Sequence, residues 1–364
     1  PTGSMVKSFV NNGRRYCFWQ PQYTSVDCKR LTRLHFMTIL SALAAKPQRD
    51  SILFKILLTD YPWPDVSIES RIFAEAGAEL VVAPNSEETT LADLASSCDA
   101  ILACWAQVTR RVIESAPRCR IVSRMGIGLD NIDLDCCREF GILVTNVPDY
   151  CVQEVAEHAL ASIFALGRNI GRFHLATKQG DYDLSAAPVM FPLNGATLGI
   201  IGMGRIGSRT ADLADAVGMN VIVAERPSLT CRFRQHTLEE LARQSDYVSL
   251  HVPLSKTTYQ MINAEFLAVM KTTAFLINTS RGALVDHAAL ADALNARQIA
   301  GAALDVQDPE PPNLEIVPFN LPQVIVTPHA AFVSDRSLAT LRQTACEQAL
   351  QALRGERPDN TVIG

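Results

Sequence analysis

An α/β protein with parallel sheets, divided into two domains, is what this sequence predicts. Three observations carry that expectation. At 364 residues the chain exceeds what one hydrophobic core usually serves. From Ile52 onward, short apolar runs alternate with polar turns and helical periods, the order of parallel strands joined by crossover helices. A second series of the same kind starts at Thr197, after a polar stretch over 180–192 that reads as a loop between domains.

In the first series, 56–59 reads as a strand, 67–76 as a helix and 79–82 as the next strand. Further strands are expected over 99–103, 120–123 and 143–146. A long helix over 152–168 follows Pro148. The second series has strands over 197–201, 220–224, 247–250, 274–278, 301–305 and 324–327. Six strands alternating with helices make a complete doubly wound domain. A final helix over 334–353 is expected to pack back onto the first domain. Residues 1–54 show no period. They carry eight Lys or Arg against two Asp, a local charge of +6 in a chain of net −5. This basic N-terminal extension is expected to be poorly ordered, has the composition of a transit segment, and is excluded from the fold argument. Pro1-Thr2-Gly3-Ser4 ahead of Met5 reads as a remnant foreign to the protein.

Hydrophobic residues at 48% and charged residues at 20% are the balance of a globular protein, which excludes wholesale disorder. Glu157 and His158 interrupt the most apolar stretch, so no membrane span is expected. The acidic net charge gives no reason to expect a nucleic-acid partner. Ten cysteines without a CxxC pair fit buried, reduced thiols in a cytoplasmic protein, and no Cys/His cluster has the spacing of a metal site.

The strongest motif is Gly202-Met203-Gly204-Arg205-Ile206-Gly207, a GxGxxG directly after an apolar strand and before a helix over 208–217. Gly202 permits the tight turn, Gly204 lets the backbone approach a pyrophosphate, and Gly207 allows close helix–strand packing. Glu225 stands eighteen residues after Gly207, at the end of the next strand. A carboxylate there accepts bonds from ribose hydroxyls and repels a 2′-phosphate, favouring NAD over NADP. Arg226 beside it works against that preference.

Three more segments end strands of the same domain: Asn278-Thr279-Ser280-Arg281-Gly282, Asp305 to Pro311, and Thr327-Pro328-His329-Ala330-Ala331. In a doubly wound sheet the carboxyl ends of strands form the ligand crevice, so Arg281, Glu310 and His329 are expected to converge there. Reduction of a keto acid by a nicotinamide needs a cation to hold the substrate and a donor to deliver a proton. The fork of Arg281 suits the first. His329 suits the second, with Glu310 orienting the ring and favouring its protonated form. His158 on the long helix is read as structural or interfacial, and His287 as a polar residue at a helix start.

These segments, with Arg124-Met125-Gly126-Ile127-Gly128-Leu129-Asp130-Asn131-Ile132-Asp133 and Asn146-Val147-Pro148, resemble the signatures of the D-isomer-specific 2-hydroxyacid dehydrogenases over roughly 55–363. The resemblance implies two Rossmann-like domains. A doubly wound NAD-binding domain (151–333) would be inserted in a flavodoxin-like substrate domain (55–150 with 334–364). It implies an NAD-dependent oxidoreductase acting on a small 2-keto or 2-hydroxy acid, with Arg281, Glu310 and His329 as catalytic residues. Gly126, Ile127, Gly128 and Arg281 would bind the substrate. The cofactor would meet 202–207, Glu225, Arg226, the His251-Val252-Pro253 turn, Thr258, Thr279, Ser280 and Asp305. A homodimer joined through the cofactor domain is implied as well.

Glu225 replaces the more usual Asp and Ser280 the more common Ala. The segments 59–64 and 329–334 are most similar to the branch related to C-terminal-binding protein, a corepressor with a dehydrogenase fold, although Phe332 stands where that protein has Trp. An NAD(H)-sensing binding protein is therefore the alternative. Glu310, where formate dehydrogenases carry Gln, points away from that branch, and a phosphoglycerate dehydrogenase with a regulatory extension is not expected, while a short phosphoglycerate enzyme stays open as an alternative. The segments 104–106 and 61–65 are expected to face the substrate.

Overall fold

Where the regular pattern begins, the chain enters the first of two parallel sheets. The computed structural model describes residues 8–11, 14–17, 54–186, 190–226 and 230–364. Near the N-terminus, β1 (Ser8–Asn11) and β2 (Arg14–Cys17) pair antiparallel. The expected lack of order in 1–54 otherwise concerns residues outside those described.

The first sheet contains β3 (Lys55–Leu58), β4 (Glu79–Val82), β5 (Ala100–Ala103), β6 (Ile121–Arg124) and β7 (Leu143–Thr145), in the order β4-β3-β5-β6-β7 and all parallel. β5 and β6 are buried along their whole length, as a parallel strand covered on both faces must be. One face packs Leu91, Val112, Cys136 and Cys137; the other packs Phe73, Leu341 and Ala345. The latter two belong to helix Asp335–Leu353, which returns to this sheet from the far end of the sequence.

The second sheet is built from β8 (Thr197–Ile201), β9 (Asn220–Ala224), β10 (Arg234–His236), β11 (Tyr247–Leu250), β12 (Phe275–Asn278), β13 (Gly301–Leu304) and β14 (Val324–Val326). Its order is β10-β9-β8-β11-β12-β13-β14, again all parallel. β15 (Thr361–Ile363) then pairs antiparallel with β7 at the edge of the first sheet.

The two orders are those of a flavodoxin-like and a dinucleotide-type doubly wound sheet, so the predicted α/β class with two Rossmann-like domains is the one observed. Several elements differ from the sequence reading. β10 and β15 extend sheet edges, and the Arg-Gln-His run of β10 has no apolar pattern because two of its three residues are exposed. Helix Ile170–Lys178 buries no residue, so periodicity carried no signal for it. The helix after the glycine loop starts at Arg205 rather than at 208.

A buried ion pair joins helix Ser67–Glu75 to the final helix. Arg342 Nε donates to Glu69 Oε1 at 2.7 Å and Nη2 to Glu69 Oε2 at 2.5 Å, with the Glu69 carboxylate fully buried. The same guanidinium lies 5.1 Å from the centre of the Trp63 ring and donates to Asp65 O. The loop after β3 is thereby fixed against the C-terminal helix.

Candidate active site

Each sheet reverses its strand order once, between β3 and β5 in the first and between β8 and β11 in the second. A cavity of about 560 Å³ lies where the loops from these ends meet, lined from one sheet by Trp63, Trp105 and residues 124–130, and from the other by Arg205, His251, Arg281 and His329. Carboxyl ends of strands at a switch point are where open α/β sheets bind ligands.

The glycine loop is shaped as its motif requires. Gly202 has φ +107°, and a Cβ on it would lie 2.4 Å from the His251 carbonyl oxygen; one on Gly207 would lie 1.9 Å from Gly202 O. A Cβ on Gly204 would meet nothing within 4 Å, and helix Arg205–Ala216, which Gly204 caps, has no side-chain cap on its first amides. An open approach to free helix-start amides suits a pyrophosphate. Farther along the cavity, Thr279 Oγ1 is buried without a hydrogen-bond partner, a polar atom placed to meet a ligand. These residues fit a dinucleotide.

Of the residues expected to hold the cofactor, Arg205, Ile206, His251, Val252, Pro253, Thr279, Ser280 and Asp305 line the cavity, while Met203 belongs to the glycine loop. Burial pushes His251 down to about 4, leaving a neutral ring whose Nε2 is 2.9 Å from Ser249 Oγ. Ser280 Oγ donates to Leu250 O at 2.7 Å, tying the β12 loop to β11. Glu225 and Arg226 are exposed beyond the end of β9, apart from the cavity lining, as the outer end of a dinucleotide would require. Thr258 does not line the cavity. Its hydroxyl donates to Pro253 O at 2.7 Å and accepts from Ser255 N at 2.8 Å, so it braces the 251–254 turn.

The three proposed catalytic residues come together. His329 and Arg281 both line the cavity, and Glu310 Oε2 lies 2.9 Å from His329 Nδ1. Glu310 Oε1 accepts from Gln307 N at 2.9 Å. Burial works to raise the Glu310 pKa, but the hydrogen bond and charge of His329, the Gln307 amide and the Arg281 charge outweigh it and hold the carboxyl below the usual range. His329 has φ +52°, an unusual backbone for a non-glycine residue. Asp305 supports that turn: its carbonyl accepts from His329 N at 2.8 Å, and its carboxylate accepts from Ala330 N, Ala331 N and Thr327 Oγ1. His158 Nε2 lies 3.2 Å from Thr327 Oγ1, behind the same turn, and His287 opens helix His287–Asn295 and packs edge-on to Phe319.

Arg281 reaches from the second sheet to the first. Its Nε donates to Asp130 Oδ1 at 3.0 Å and its Nη1 to Ser280 O at 2.7 Å. A Cβ on Gly128 would fall 1.6 Å from Nη2, so only glycine admits the guanidinium beside the 126–128 backbone. Burial alone would raise Asp130, yet the charge and hydrogen bond of Arg281 hold its carboxyl low.

Two residues with a bearing on function were quoted in motifs without a role. Asp130 anchors Arg281. Arg124 ends β6, is 7% exposed, and lines the cavity with its Nε on Asn131 Oδ1 and its Nη1 on Met125 O, while the Asp130 carboxylate acts on it only through its charge. Burial, with the Arg281 charge added, draws its guanidinium below its ordinary pKa. The signal available was its place at a strand's carboxyl end, two residues before Gly126. Cys104 and Cys151 also line the cavity, but burial pushes both thiols up to about 12, which keeps them protonated and poor nucleophiles. Among the described residues no group of three or more His, Cys, Asp or Glu could hold a metal ion, and no helix is long and apolar enough to cross a membrane.

The chain is similar to known proteins in sequence and in fold. A family model described as the NAD binding domain of D-isomer specific 2-hydroxyacid dehydrogenase matches residues 160–331. A glyoxylate reductase of Korarchaeum cryptofilum is 37% identical over 291 residues, which cover 77% of this chain and 87% of that protein. A D-3-phosphoglycerate dehydrogenase of Methanocaldococcus jannaschii is 35% identical over 319 residues, covering 85% of this chain but only 59% of that longer protein. A solved structure of D-lactate dehydrogenase from Aquifex aeolicus, complexed with NAD and lactic acid, is similar with a TM-score of 0.77 and 30% identity; the match covers 85% of this chain and 99% of that one.

Proposed function

The chain belongs to the D-isomer-specific 2-hydroxyacid dehydrogenase family and is an NAD-dependent oxidoreductase, and on that premise we propose that it interconverts a 2-keto acid and its D-2-hydroxy acid, with Arg281, His329 and Glu310 as its catalytic residues. The observation that carries this reading is the meeting of the His329–Glu310 pair and Arg281 on one cavity with the 126–128 backbone.

Bound NADH supplies the hydride; the chain's own residues do the rest. With Nε and Nη1 of Arg281 engaged by Asp130 and Ser280, Nη2 is left to grip the substrate beside Gly128. The Gly126, Ile127 and Gly128 backbone and the buried Arg124 draw the carboxylate into the same corner. Glu310 holds His329 by Nδ1, so Nε2 is the atom that delivers the proton to the carbonyl oxygen in reduction and removes it in oxidation. Arg281 then faces the alkoxide charge that develops as hydride arrives.

On this reading 55–150 with 334–364 carry the substrate side and 151–333 the cofactor. A second copy of the chain would cover Ile170, Leu175, Tyr182, Leu184 and Phe191, a run of exposed apolar side chains; light scattering at the mass of a single chain would refute that homodimer. A cytoplasmic location rests on the cysteine pattern and is checked by cell fractionation. The corepressor-like alternative rests on 59–64 and 329–334, whereas the similar proteins above are named as enzymes. Incubation with NAD and paired D- and L-2-hydroxy acids separates the readings: NADH forms from the D isomer if the proposal holds, and forms from neither if the protein only binds the cofactor.

A further inference from the structure

The loop after β5 brings an aromatic side chain to the proton donor from the opposite sheet. Trp105 N and Ala106 N donate to the Asp60 carboxylate at 2.9 and 3.1 Å, and Thr59 Oγ1 donates to the same group at 2.7 Å. The ends of β3 and β5 are thus laced together where the strand order reverses, and the tip of the second loop is held in place. The Trp105 indole, 43% exposed, lies tilted with its centre 6.1 Å from the His329 ring.

Phe332 approaches the same imidazole edge-on at 6.0 Å, and Tyr150 meets Phe332 at 6.1 Å. The proton donor therefore stands in an aromatic row contributed by both halves of the molecule. Cys104 and Met125, both buried, also line this cavity. The cations that suit a carboxylate, Arg124 and Arg281, are gathered at the 126–128 backbone, so the aromatic row is left for whatever group the substrate carries on the other side of its keto carbon.

Resting on the reading of this site as a 2-keto acid reductase, we propose that Trp105 and Phe332 clamp the substrate side chain and select 2-keto acids with a bulky apolar or aromatic side chain over glyoxylate. Glyoxylate carries only a hydrogen at that position and would leave the row unfilled. A branched alkyl or benzyl group would remove the exposed indole face from water and pack against rings that tolerate offset and edge contacts. A phosphorylated side chain would find apolar surface there instead of a cation. The reaction is unchanged: hydride adds to the keto carbon and the proton goes to its oxygen, whichever side chain is present.

The test is steady-state NADH oxidation with glyoxylate, 3-phosphohydroxypyruvate, 4-methyl-2-oxopentanoate and phenylpyruvate, for wild type, Trp105→Ala and Trp105→Phe. The wild type is expected to favour the two bulky acids over glyoxylate in kcat/KM by at least about tenfold, within the range that apolar pockets achieve. Trp105→Ala should shrink that ratio by about tenfold or more, and Trp105→Phe should keep most of it. A merely structural tryptophan would lower all substrates alike, and that outcome overturns the proposal. So does a wild-type preference for glyoxylate or the phosphorylated acid, which leaves the reductase reading standing. Turnover of none of the four removes the reductase reading and the clamp together.

Discussion

His329 Nδ1 and Glu310 Oε2 lie 2.9 Å apart although 19 residues separate them in sequence, and the contact commits one nitrogen of the imidazole to the carboxylate. The other nitrogen is left for chemistry.

The Glu310 carboxyl is held below its usual pKa, so it is ionised in the folded protein at lower pH than an ordinary carboxylate. The stabilisation it contributes is fully present above the unfolded carboxylate value of about 4.3 and is lost as pH falls through the lower folded value. Glu310→Gln keeps size and hydrogen bonding but removes the charge, so the alkaline limb of keto-acid reduction should move to lower pH with NADH binding nearly constant. A pH profile whose alkaline limb stays in place would show that the pair does not govern proton delivery.

Arg281→Ala should raise KM and lower kcat together, by on the order of 10²- to 10³-fold in kcat, because the fork is proposed to bind both the substrate and the developing alkoxide. Arg124→Leu should act mainly on KM, since its charge faces the carboxylate corner. Initial-rate kinetics with the best keto acid distinguish the two; a pure KM effect in Arg281→Ala would remove it from the transition state.

Glu225 stands where the adenosine ribose of the cofactor is expected, with Arg226 next to it, both exposed. Fluorescence titration should give tighter binding of NADH than of NADPH, and Glu225→Ala should narrow the difference. Equal affinities in the wild type would mean that Arg226 sets the preference.

The Glu69–Arg342 pair fixes the loop that carries Trp63. Arg342→Ala would strand a fully buried carboxylate and should cost about 3–5 kcal/mol in a denaturant titration. Replacing both residues by Leu should cost much less, because no charge is left unpaired. Equal losses in the single and double variants would assign the effect to packing.

Much of this fold was legible because central parallel strands must be apolar on both faces: β8, β9 and β11 fall on the residues that their apolar runs mark. Edges were not legible, since β10 needs only backbone pairing and carries Arg234 and Gln235 exposed. The site divides in the same way. Gly202, Arg281 and His329 announce themselves by residue type at strand ends. Trp105 falls in the 104–106 segment expected to face the substrate, but its stacking partner His329 becomes visible only in the fold, and Arg124 stands at a strand end without its burial showing in the sequence. Asp130 is read as a partner only when Arg281 is seen reaching 151 residues back to it.

The central claim is that His329 delivers the proton in an NADH-dependent reduction. The most direct measurement compares wild type and His329→Ala in steady-state reduction of the preferred keto acid, alongside NADH affinity by fluorescence. The account predicts a loss of about 10²- to 10⁴-fold in turnover with NADH affinity little changed. Near-normal turnover in His329→Ala would contradict it.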